Sequence, residues 1–157
     1  MLFWWRWLVV VTIGIVGFGL SLVVAPDLAR RGFGLLVYSS SDGIDKLGAP
    51  AVEYIDLAHG VLGAVMVGWG VVLLFALFGP FRHGSRDGWR SLAASFAIWF
   101  VLDTTISLWT GFWQNAVLNT VIAVLYAVPL AATYRSVGRV RGQAGARPAK
   151  AAAGCRA

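Results

Sequence analysis

Four runs of apolar residues, at 4–24, 52–78, 91–110 and 116–134, decide what this chain can become. Each is long enough to cross about 30 Å of hydrocarbon at about 1.5 Å per helical residue. Lipid offers no water to the backbone amides, so each run must satisfy its own hydrogen bonds as a helix. The expectation is an all-α, polytopic membrane protein built as a four-transmembrane-helix antiparallel bundle. Composition agrees: 59% of the residues are hydrophobic and 13% charged, where a soluble domain carries about 25% charged.

The first run differs from a secretory signal. Its apolar stretch, 7–24, is longer than the usual h-region of about 7–15 residues, and Pro26 follows without a small-residue cleavage pattern, so it reads as a retained helix.

Basic residues fix the expected orientation. Arg6 precedes the apolar stretch 7–24 of the first run; Arg82, Arg86 and Arg90 crowd the second connection; Arg135, Arg139, Arg141, Arg147, Lys150 and Arg156 follow the fourth run. Alternating helices bring these groups to one side, which the positive-inside rule makes cytoplasmic together with both termini. Trp4, Trp5, Trp89, Trp109 and Trp113 lie near helix ends, where indole rings settle at headgroups. Domain division follows: a transmembrane domain over 1–135 and a basic Gly/Ala/Pro-containing tail over 136–157, expected to be disordered and drawn to anionic headgroups. The formal charge of +6 therefore speaks for topology and the lipid bilayer, not for nucleic acid, since no basic stripe interleaves with aromatics. The single cysteine, Cys155, falls in this tail and excludes an internal disulfide.

The outer connection, 25–51, is longer than an ordinary loop and contains the apolar piece "GFGLLVY", so it reads as a lid or a linker. Its Arg30, Arg31 and Lys46 are balanced by Asp27, Asp42 and Asp45.

The third run, "WFVLDTTISLW" at 99–109, carries an aspartate where lipid is expected. A central Asp costs about 2.5–3.5 kcal/mol to insert, so it pairs or lines a wet cavity. At 100° per residue, Glu53, Asp56, His59, Gly60, Gly63 and Gly70 share one stripe of the second run; Phe96, Trp99, Asp103, Ser107 and Thr110 share one of the third; Asn115, Asn119, Tyr126, Pro129 and Thr133 share one of the fourth. Gly14, Gly17 and Ser21 offer a small-residue stripe on the first. Counted inward from the outer boundary, Asp56, Ser107 and Asn119 lie about three to four residues deep, and His59 and Asp103 about seven, or roughly 10 Å. The candidate cluster is therefore Asp56, His59, Asp103, Ser107 and Asn119, with Glu53, Asn115 and Tyr126 secondary. Asp103 is expected either to pair with His59, the only basic group at that depth, or to be held protonated by Thr104 and Ser107.

Two readings of the cluster stay open: interhelical hydrogen bonding worth about 0.6 kcal/mol per contact, or a site for a small polar ligand or protons. No resident cofactor is expected. A haem would need a second axial ligand, since His83 falls on the cytoplasmic side away from His59. No metal is expected, because Glu53, Asp56 and His59 match helical metal spacing only loosely. No nucleophile triad, phosphate loop or paired-cysteine motif is present.

The segments "GIVGFGLSLVVAP", "DLAHGVLGAVMVGWG", "WFVLDTTISLWTGF" and "NAVLNTVIAVLYAVPL" together resemble the small bacterial four-helix membrane proteins of the DoxX-like type. This resemblance implies a compact bundle in the bacterial cytoplasmic (inner) membrane; some such proteins are associated with quinone-linked thiol or sulfur oxidation, a chemistry for which this bundle has no cysteine. The functional expectation is a small accessory or ligand-binding membrane protein rather than an enzyme. Alternatives are a proton-coupled transporter or permeation subunit using Asp103 and His59, and a membrane anchor of a quinone-linked redox complex. A transport path through so small a protomer would need a homodimer or larger membrane complex.

Overall fold

A computed structural model describes residues 2–135 and 137. The expected tail, apart from Val137, lies outside the described residues. The helices are α1 (Leu2–Val24), α2 (Pro26–Tyr38), α3 (Ala49–Ala76), α4 (Arg86–Trp109) and α5 (Trp113–Thr133), with a 3₁₀ turn at Asp45–Leu47 and a π-helical turn at Leu77–Phe81. Four spans are long and apolar enough to cross a membrane: Leu2–Val24, Ala49–Phe81, Arg86–Trp109 and Trp113–Thr133. They match the four apolar runs of the sequence, each starting a few residues earlier.

The four long helices run antiparallel. At one end Trp5 of α1 donates its indole N–H to the carbonyl of Leu77 at 2.9 Å, and Trp89 of α4 donates to Leu130 of α5 at 2.8 Å. The start of α1, the end of α3, the start of α4 and the end of α5 therefore lie together, and Arg6, Arg82, Arg86, Arg90 and Arg135 belong to this arginine end. The α2 helix belongs to the opposite end. Around the bundle α1 packs on both α3 and α5, α5 packs on α4, and α3 meets α4 only sparingly.

Glycine decides the tightest of these contacts. A Cβ at Gly19 would stand 2.9 Å from the Gly63 carbonyl, and one at Gly63 would stand 2.4 Å from the Gly19 carbonyl. Neither position accepts a side chain without moving α1 from α3. The inward face of α1 is accordingly Leu8, Thr12, Ile15, Gly19 and Leu22. Gly14 and Gly17, expected to face the bundle, point outward, and a Cβ added at either would meet nothing within 4 Å. Periodicity could not separate the two glycine sets, because both sides of this helix are apolar.

Phe96 and Tyr126 stack at 3.5 Å between centroids in the core, and the Tyr126 hydroxyl meets Thr12 Oγ1 at 2.8 Å. Trp69 donates to Ser95 Oγ at 2.7 Å, tying α3 to α4. Val65, Phe75, Ile98, Leu102 and Val121 form part of an apolar outer skin.

The 25–51 connection is not a plain loop. Pro26 opens α2, where its missing N–H costs nothing, and Asp27 sits in the first turn against the positive helix end. Ser39, left-handed at φ 54°, ends the helix. A Cβ at Gly34 would approach the Ser40 carbonyl to 2.7 Å, so glycine permits the sharp return of the chain. The sequence showed this segment's apolar character, but its length and mixed charges hid the helix.

Candidate functional site

The polar residues of the α2 end divide among three sets of contacts. In the first, Arg30 reaches down from α2. Its Nη1 donates to Asp56 Oδ2 of α3 at 3.1 Å, its Nη2 contacts Asp27, and its Nε lies 3.7 Å from Asp45. Side-chain exposures of 19% for Arg30 and 28% for Asp56 place this pair in partial shelter, where it is screened less than a surface ion pair. The basic partner of Asp56 is a guanidinium from the connecting helix, which the depth reading of the spans did not include.

In the second set, Phe33 of α2 stacks on the His59 ring at 4.6 Å and 21°, and also approaches Phe18 of α1 at 6.5 Å. Arg30 and Phe33 lie three residues apart and therefore on one face, so a single side of α2 engages both Asp56 and His59 of α3.

The third set is an α4–α5 hairpin. Asn115 Nδ2 donates to Asp103 Oδ1 at 3.0 Å and to Ser107 Oγ at 2.8 Å. The Ser107 hydroxyl lies 2.6 Å from the Asp103 carbonyl and 3.3 Å from its carboxylate. Asp103 is thereby provided for within its own helix pair. Among the described residues no hydrogen bond or ion pair joins it to His59, and Thr104 Oγ1 gives it none. From the Trp69–Ser95 bond, His59 lies ten residues back along α3 and Asp103 eight residues on along α4. These spacings correspond to rises of roughly 15 and 12 Å. The two stand at comparable height, but the α3 and α4 backbones approach closely at few places, so equal depth does not bring contact.

The remaining candidates separate. Asn119 is 3% exposed. Glu53 faces outward, and Tyr126 belongs to the core with Thr12 and Phe96. Sequence reasoning missed Arg30 and Phe33 as site residues; their spacing in an Arg- and apolar-containing segment was the available signal.

Hydrogen-bond satisfaction differs sharply between the two ends. Among the described residues, the buried side-chain atoms without a hydrogen bond are Arg30 Nε, which has only the ion pair with Asp45, Asp56 Oδ1, His59 Nδ1, Thr104 Oγ1, Gln114 Oε1 and Asn119 Nδ2. All belong to the α2 half, contributed by α2, α3, α4 and α5. Each such group costs about 1–3 kcal/mol unless water or a ligand completes it. Among the described residues no group of three or more His, Cys, Asp or Glu could hold a metal ion.

No protein-family model, curated protein or solved structure matches the chain. Fold and surface define the class: a small multi-pass helical membrane protein.

Proposed function

We propose that this protein binds a small polar ligand in the outer half of the membrane, beneath α2, as an accessory or ligand-binding component rather than as an enzyme. The observation that carries this reading is that, among the described residues, the buried polar side-chain atoms without a hydrogen bond all lie in the α2 half of the bundle. Interhelical hydrogen bonding would satisfy those atoms mutually; a ligand site needs some of them free. The arginine end is then cytoplasmic by the positive-inside rule, and α2 lies on the outer face. A bacterial inner-membrane location and kinship with DoxX-like proteins belong to the same proposal, resting on sequence texture.

Substituted-cysteine labelling tests it. In a Cys155→Ser background, which removes the chain's one cysteine, Asn119→Cys is exposed to a small membrane-impermeant thiol reagent applied from the α2 side. Reaction at Asn119→Cys, quickened by Arg30→Gln and absent at Thr133→Cys near the arginine end, is the expected result. Protection of Asn119→Cys in both backgrounds would mean a dry, purely structural interior and would end the proposal.

A further inference from the structure

A second feature lies at the arginine end, where α1 begins and α3 runs out through its π-helical turn. A cleft of about 210 Å³ is lined by Leu2, Trp5, Phe81 and Arg82. Its polar and apolar parts are both held in place through Trp5. The Trp5 indole is fixed by its bond to the Leu77 carbonyl at 2.9 Å and by an edge contact with Phe78 at 5.2 Å. The Arg82 guanidinium lies 4.8 Å from the Trp5 ring centroid, a cation–π contact that orients the fork while leaving its N–H groups directed elsewhere. Phe81 is wholly buried and closes the cleft from within.

Charge complementarity selects the occupant. Arg6, Arg82, Arg86, Arg90 and Arg135 share this end with one carboxylate, Asp87, which Arg90 approaches at 3.6 Å. Arg82 has no ion pair among the described residues. A pre-oriented guanidinium at headgroup depth, beside outward-facing Leu2 and Phe78, combines a phosphate-binding fork with an acyl-chain surface. We propose that this cleft seats one anionic phospholipid of the adjoining leaflet, its phosphate on Arg82 and its chain along Leu2 and Phe78.

The full chain in detergent micelles is titrated with phosphatidylglycerol, phosphatidylcholine or inorganic phosphate, and thermal unfolding is followed. Phosphatidylglycerol alone should raise the midpoint, and Arg82→Gln should weaken that response about tenfold, as expected for a lost charge-assisted contact. Arg86→Gln, a neighbouring arginine outside the cleft, should keep most of it. Equal losses from the two variants would reveal diffuse attraction by the basic surface, and an equal response to inorganic phosphate would reveal an ion site; either overturns the proposal. Should Arg82→Gln fail to fold, native mass spectrometry of the wild-type chain from vesicles of equal phosphatidylglycerol and phosphatidylcholine decides. One selectively retained phosphatidylglycerol supports the seat, and retention in proportion to supply refutes it.

Discussion

Arg30 of α2 and Asp56 of α3 meet at 3.1 Å, and this contact fastens the connecting helix to the bundle. Asp27 and Asp45 gather round the same guanidinium, so the latch draws on three separate pieces of chain. Losing the arginine leaves Asp56 sheltered and uncompensated, a cost of about 1–3 kcal/mol. Solvent reaches both partners and lowers the value towards the bottom of that range. Arg30→Gln should therefore speed amide exchange across α2 by about tenfold, the equivalent of about 1.4 kcal/mol. Exchange in the α4–α5 hairpin should not change; a uniform increase would show that α2 is not a separately opening element.

The hairpin cluster makes its own prediction. Asn115 bridges Asp103 and Ser107, so Asn115→Ala removes two contacts at once. At about 0.6 kcal/mol for an average polar contact between membrane helices, the loss is roughly 1 kcal/mol. Asp103→Asn keeps the shape and a hydrogen-bonding oxygen, and should cost less. Reversible unfolding in mixed micelles measures both, and a larger effect from Asp103→Asn would indicate that the carboxylate's charge has a task beyond this hairpin.

Much of this arrangement was legible in the sequence, for reasons that also set the limit. Hydrocarbon thickness fixes the length of a crossing helix, so the four spans followed from apolar run length. Partner choice did not follow, because lipid-facing and core-facing side chains are equally apolar in such a bundle. That is why Gly19, pressed against Gly63, could not be told from Gly14, which meets nothing. Depth was readable for Asp103 and His59, yet the sparse α3–α4 contact that separates them is a property of helix order. Arg30 finds Asp56 across 26 residues and a reversal of the chain, beyond any local periodicity.

The turn following α2 gives a pH-dependent outcome. Asp42 accepts from the Ser40 hydroxyl and pairs with Lys46 at 3.0 Å. The Ser40 bond foremost, then Lys46, holds its carboxyl down from 3.8 to about 2. A folded value below the unfolded one stabilises the turn above about 3.8, and this contribution fades as pH falls towards about 2. Carboxyl-carbon NMR should place the Asp42 midpoint near 2, and Ser40→Ala should move it upward. A midpoint unaffected by Ser40→Ala would remove the hydroxyl as its chief cause.

A proline inside α5 supplies the last test. Pro129 has no N–H for the Leu125 carbonyl, its helical partner one turn back, and a carbonyl left this way where lipid offers no water is costly. Trp7 of α1 donates its indole N–H to that carbonyl at 3.0 Å. The exchange of an intrahelical bond for an interhelical one gives α1 a directional hold on α5 that apolar packing does not provide. In a double-mutant cycle, Trp7→Phe should cost about 1 kcal/mol more with Pro129 present than in a Pro129→Ala background, where the restored N–H makes the indole bond redundant. Equal costs in the two backgrounds would show that Trp7 contributes only its ring, and that the carbonyl freed by Pro129 plays no part in joining the helices.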